Sequence, residues 1–202
     1  MPIEGLILIV SYLIGSISFS YIIAKLVKGI DIRKYGTKNA GTSNVFLVVG
    51  PVAGILTLIG DIGKGAVTVF LAQLLAMPEY IILLAGISAI VGHCFPIFLK
   101  FKGGKGLATS VGVIIPLAPI EFLIVLGILV LLAFIIKRLT LSLLVSLSLL
   151  PLLAWYFNRS LTIIIGIGII VLSRWIIDAF NFKEVLAGKD YQRLISKIKE
   201  RG

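Results

Sequence analysis

The sequence predicts an all-α integral membrane protein with about seven transmembrane helices, and three observations carry that prediction. The 202 residues are 59% hydrophobic and only 14% charged, whereas a soluble domain carries about 45–50% apolar and about 25% charged residues. Several apolar runs approach or exceed the roughly 18 residues that mark a bilayer span. Most of the cations fall in alternate connections between these runs, as they do when cytoplasmic loops are selected for positive charge.

The spans follow from apolar runs and the punctuation between them. The first covers residues 5–27. The second, 45–77, is interrupted by Gly60, Asp61, Gly63, Lys64 and Gly65. Then come 80–99, two shorter runs at 107–118 and 120–136, then 139–157 and 161–177. The stretch 107–136 reads either as two short half-spans meeting at Pro116 and Pro119 or as one bent hairpin. The tail 181–202 is charged and expected to be helical outside the bilayer core. The first run starts at Glu4 without a basic leader and is too long for a cleavable signal. One domain, 1–202, is expected, with 181–202 as its cytoplasmic charged tail.

Orientation follows from charge. Sixteen of the nineteen Lys and Arg residues fall in 25–43, 100–105, 137–138 and the tail from Lys183. The opposite connections hold only Arg159, while Lys64 and Arg174 lie within spans. The N-terminus is therefore expected outside and the C-terminus in the cytoplasm, in a multi-pass protein of the cell membrane. The membrane also accounts for the net charge of +10, which in a soluble chain would point to nucleic acid. The single cysteine, Cys94, excludes an internal disulfide framework and any CxxC metal site.

Two basic loops hold the chemistry. Loop one, 29–44, combines Gly36 and Gly41 with Asn39, Thr42, Ser43 and Asn44 and the cations Arg33, Lys34 and Lys38, just before a helix. Such backbone and hydroxyl donors form a ready anion site; a helix cap beside a lipid-facing basic loop is the plainer alternative. Loop two, 92–106, interleaves Lys100, Lys102 and Lys105 with Gly103, Gly104 and Gly106. It is not a Walker A loop, because Gly106 follows Lys105 where Ser or Thr is required. His93 is the only histidine, and Phe98 stands where soluble-type glycerolipid acyltransferases place an Asp. Asp61 and Lys64, three apart on an apolar helix, face one side and pair either for function or to orient two helices. Arg174 and Asp178, four apart, share that ambiguity.

Gly92-His93-x-x-Pro96-x-Phe98-x-x-Phe101-Lys102-Gly103-Gly104-Lys105-Gly106-x-Ala108-Thr109 closely resembles the second signature of the PlsY-type glycerol-3-phosphate acyltransferases, bacterial membrane enzymes. The resemblance extends through Gly15-Ser16, Asp31-Ile32-Arg33, Gly36, Asn39, Gly41, Asn44, Gly60-Asp61-x-x-Lys64-Gly65, and Asn181 with Leu186-x-Gly188-x-Asp190. The chain departs from the family's pattern at Thr37, Lys38, Thr42 and Ser43. Leu47 stands where an Arg is expected, with Lys38 the candidate to replace that cation. The third signature is approximated by Lys137-Arg138, Thr140, Ser142 and Ser146. Asp178-Ala179-Phe180 replaces a His-Arg-Glu.

The resemblance implies a seven-helix fold and transfer of a fatty acyl group from acyl-phosphate to the 1-hydroxyl of glycerol 3-phosphate. Lysophosphatidic acid and phosphate result, at the cytoplasmic face, with no metal and no cofactor. It implies that Lys102, Lys105 and the backbone from Gly103 through Gly106, Gly104 included, hold one phosphate. Arg33, Lys38, Asn39, Thr42, Ser43, Asn44 and Ser142 serve substrate and phosphate binding. Asn181 and His93 orient the hydroxyl or stabilise the oxyanion. Membrane lipids are the remaining partners and nucleic acid is not one. The alternative is an organic-phosphate transporter or channel, for which only the break at Asp61–Lys64 speaks. A non-catalytic scaffold on anionic lipid explains the charge but not the glycines.

Overall fold

The computed structural model describes residues 3–179, and among these every regular element is a helix. The helices are α1 (Ile3–Ser16), α2 (Phe19–Lys28), α3 (Thr42–Val48), α4 (Pro51–Leu74), α5 (Glu79–Cys94), α6 (Leu107–Leu117), α7 (Pro119–Ile136), α8 (Leu139–Ser148), α9 (Leu150–Tyr156) and α10 (Leu161–Ala179). The expected tail 181–202, with Asn181, lies outside the described residues. Among the described residues, six helical segments are long and apolar enough to cross a membrane: 3–28, 51–74, 79–99, 119–136, 139–156 and 161–179. The predicted segment 107–118 is a helix of 11 residues. At 1.5 Å per residue it reaches about 16 Å, roughly half the ~30 Å hydrocarbon core. Large apolar side chains point outward on these segments, among them Leu26, Val52, Leu123, Phe134 and Leu172, as lipid-facing positions require.

The chain forms two compact units, one ending at Leu117 and the other beginning at Ala118. In the first, α1 packs along α5 and α4 along α6. Both contacts are backbone against backbone. A Cβ on Gly15 would strike the Ala89 carbonyl, and one on Gly92 the Tyr12 carbonyl. Gly65 lies likewise on the Thr109 carbonyl and Gly112 on that of Ile62. In lipid, where apolar burial between helices contributes little, such close approach supplies the packing energy.

The glycines of 60–65 therefore do not interrupt the second span, as the sequence led one to expect. α4 runs unbroken for 24 residues, with Gly60 seated on the Phe19 ring and Gly65 on α6. The breaks fall elsewhere. The first span bends at Ile17–Ser18, where the Ser18 hydroxyl accepts from the Tyr21 N–H at 3.4 Å. The second is preceded by a break at Gly50, whose φ of 144° and following Pro51 end α3 and start α4.

In the second unit α7 packs on α8, and α10 on α8 and α9. Pro151 cannot donate to the helix preceding it, and α8 gives way to α9 at Leu149. The fully buried Glu121, in the first turn of α7, takes both Nε (2.6 Å) and Nη2 (3.1 Å) of Arg159. The Trp175 indole donates to Ser148 Oγ at 2.9 Å.

Candidate active site

Loop one is built around two residues. Asp31 caps a short 3-10 turn (Ile32–Lys34), accepting from the Arg33 N–H at 3.1 Å. The same carboxylate receives Arg33 Nε at 2.9 Å and Nη2 at 2.7 Å, and the guanidinium lies 5.5 Å over the Tyr21 ring. The hydrogen bond from Arg33 holds the Asp31 carboxyl below its ordinary value, and Asp31 in turn raises Arg33.

Asn44 is the second organiser. It is buried, its Oδ1 accepts the Thr37 N–H at 2.9 Å, and its Nδ2 lies within reach of the carbonyls of Ile32, Tyr35 and Asn39 at 2.9–3.1 Å. The Asn44 amide thus shapes the loop from within. Gly36 turns beside it at φ 57°, and a Cβ there would strike Asn44 Oδ1. Lys38 also takes a positive φ, 58°, and is exposed.

Loop two folds back over the end of α5. The N–H groups of Gly103 and Gly104 donate to the carbonyls of Cys94 and His93, each at 3.2 Å, satisfying acceptors a helix terminus leaves open. No side chain fits there. A Cβ on Gly103 would meet the His93 carbonyl, and one on Gly104 would meet both His93 Nε2 and the Ala40 carbonyl. Gly104 is therefore where loop two touches loop one. A second tie is the hydrogen bond from Arg33 Nη1 to the Leu99 carbonyl, 2.9 Å.

Between the loops opens a cleft of about 360 Å³, walled by Asp31, Arg33, Lys34, Lys38, Leu99, Lys100, Lys102 and Gly103. Five cations with one carboxylate make a site for a strongly anionic group, and guanidinium and ammonium donors are the side chains that hold phosphate. Four of the expected residues stand on this cleft: Arg33, Lys38, Lys102 and Gly103. Lys34 and Lys100 join them; the sequence places both among the cations of the two loops but assigns neither a role in the site.

The remaining expected residues divide. Thr42 and exposed Ser43 open α3 beside the loop, and Thr42 Oγ1 is buried without a partner among the described residues. The Asn39 side chain lies against Gly41. Lys105 is exposed just past the glycines. His93 is buried under Gly104. Ser142 belongs to the second unit, buried, its hydroxyl donated to the Arg138 carbonyl at 3.0 Å. Among the described residues no three His, Cys, Asp or Glu side chains gather as a metal site.

The model of the family described as "Glycerol-3-phosphate acyltransferase" matches residues 5–188. A protein of that name from Exiguobacterium sibiricum is 52% identical over 120 residues, which are 59% of this chain and 58% of the relative. The chain thus spans under two thirds of that relative's length. Among solved structures, the crystal structure of PlsY, an integral membrane glycerol 3-phosphate acyltransferase, is similar in its glycerol 3-phosphate form. The TM-score is 0.83 at 27% identity, over 92% of both chains. Its lysophosphatidic acid form gives 0.80 at 26%, again over 92% of both.

Proposed function

Since the chain belongs to the glycerol-3-phosphate acyltransferase family, we propose that it moves a fatty acyl group from acyl-phosphate to the 1-hydroxyl of glycerol 3-phosphate. Lysophosphatidic acid and inorganic phosphate are the products. The observation that carries this reading is the meeting of the two basic loops in one cleft, with Arg33, Lys38, Lys100 and Lys102 on its walls. Both substrates carry phosphate, and the similar solved structures are described as glycerol 3-phosphate and lysophosphatidic acid forms.

Acyl-phosphate is a mixed anhydride that is already activated, so its reaction calls for orientation and neutralised charge more than for a protein nucleophile. The 1-hydroxyl oxygen attacks the acyl carbonyl carbon. The bond from that carbon to the phosphate oxygen breaks and phosphate leaves, while a substrate phosphate takes the hydroxyl proton. Lys102, Lys105 and the Gly103–Gly104 backbone hold one phosphate, and Arg33 and Lys38, with Thr42 and Ser43, hold the other. Asn39 and Asn44 shape the loop that presents these groups. Asn181, on sequence grounds, orients the hydroxyl.

The charge pattern supports placing these loops in the cytoplasm, in one multi-pass domain of the cell membrane with its N-terminus outside. The unbroken α4 removes the one feature that spoke for a transporter.

Purified protein incubated with palmitoyl-phosphate and glycerol 3-phosphate is expected to yield lysophosphatidic acid and phosphate in equal amounts, and none with palmitoyl-coenzyme A. Phosphate release without lysophosphatidic acid, or no release, overturns the proposal.

A further inference from the structure

Three ionisable side chains meet inside the first unit, away from the cleft. Asp61 on α4 is 1% exposed, Lys64 one turn later 4%, and His93 at the end of α5 7%. Lys64 Nζ stands 2.8 Å from Asp61 Oδ1 and donates to the Ile17 carbonyl at 2.7 Å. His93 Nδ1 stands 3.5 Å from the same Oδ1, and among the described residues neither Asp61 oxygen nor His93 Nδ1 completes a hydrogen bond.

Charges at this depth are costly and persist where they do something. Lys64 has a structural reason, since the bend between α1 and α2 frees a carbonyl that lipid cannot satisfy. That reason does not account for His93. On the far side of its ring, Nε2 lies so close to Gly104 that no Cβ fits, and the same Cβ would meet the Ala40 carbonyl. A chain of contacts therefore runs from the bend through Lys64, Asp61 and His93 to the point where the basic loops touch.

We propose that Asp61 is a positioning residue for acyl transfer: its carboxylate holds the Nδ1 proton of His93, so that the unprotonated Nε2 edge faces the Gly104 turn. A carboxylate beside one ring nitrogen fixes both the tautomer and the orientation of an imidazole. The 3.5 Å separation is long for a hydrogen bond, as such contacts often are before substrate tightens a site. Lys64 holds Asp61 in place, and Asp61 thereby acts on the glycine turn through His93. The inference rests on the acyltransferase reading.

His93 is the only histidine of the chain, so an imidazole-¹⁵N-labelled sample in detergent gives one pair of ring-nitrogen signals. The wild-type ring is expected to be neutral with its proton on Nδ1. Asp61→Asn alone strands the Lys64 charge and risks misfolding, so the variant to compare is Asp61→Asn with Lys64→Met. Folded, it is expected to move the proton toward Nε2 and to lower kcat about tenfold or more, with the KM for glycerol 3-phosphate little changed because the cleft cations remain.

A wild-type ring protonated at Nε2, alone or together with Nδ1, overturns the proposal. So does a folded double variant that keeps the wild-type tautomer or the wild-type kcat. Should the double variant not fold, the wild-type spectrum decides by itself. Wild-type protein that makes no lysophosphatidic acid refutes the acyltransferase reading instead, and leaves the tautomer measurement standing.

Discussion

Arg33 Nη1 donates to the Leu99 carbonyl across 66 residues of sequence, at 2.9 Å, while its Nε and Nη2 grip Asp31. One guanidinium thus organises loop one and ties it to loop two. A lysine there keeps the charge but not the planar fork. Arg33→Lys is expected to stay folded and to raise the KM for glycerol 3-phosphate about tenfold, the equivalent of one charge-assisted hydrogen bond at ~1.5 kcal/mol. Steady-state kinetics on the purified variant checks this, and an unchanged KM removes the tie from the account.

Acid should loosen the same clamp, on one side only. Arg33 holds the Asp31 carboxyl below its ordinary value. The clamp is therefore fully formed above the ordinary carboxylate range, about pH 4. It is lost as pH falls through the lowered value. From neutral pH down to that range its contribution to KM is expected to be flat, with a rise only below it. Substrate phosphate titrates near pH 6 as well, so the reading is the ratio of Asp31→Asn to wild type. That ratio should exceed one at neutral pH and shrink towards one in acid.

Lys102 and Lys105 flank the glycine pair on which the proposed chemistry rests. Lys105→Ala is expected to abolish acyl transfer from palmitoyl-phosphate while the protein stays folded in detergent, and Lys102→Ala to raise KM. Lys34, exposed and lining the cleft, has no assigned phosphate. Its alanine variant is expected to lose several-fold at low salt and less at high salt, because exposed charges are screened. Turnover assays at two ionic strengths separate the three.

Much of the fold was legible in the sequence because lipid imposes a simple rule: apolar length reads as a helix. The two loops and most of the cleft cations could be picked out for the same reason, glycine beside lysine having little other use there. What could not be read was direction and role. Asn44 looked like a phosphate donor, yet it faces inward and holds four backbone groups of its own loop. His93 could not be linked to Asp61 across 32 positions, because periodicity relates residues within a helix and is silent between helices. The glycines of α4 suggested a break, since composition does not distinguish a glycine that frees the backbone from one that another helix rests upon.

That last distinction can be measured. Gly63 has open space where a Cβ would go, whereas Gly65 and Gly112 press on the carbonyls of Thr109 and Ile62 across the α4–α6 contact. Gly63→Ala is expected to leave the detergent melting temperature unchanged or raise it slightly, since alanine is about 1 kcal/mol better than glycine inside a helix. Gly65→Ala and Gly112→Ala must push two backbones apart and are expected to cost at least ~1–3 kcal/mol, the range for overpacking a close contact. The loss should appear as a lower melting temperature with reduced turnover, because α6 follows directly on loop two. Equal melting temperatures for all three variants would mean that these glycines do not set the spacing of α4 and α6.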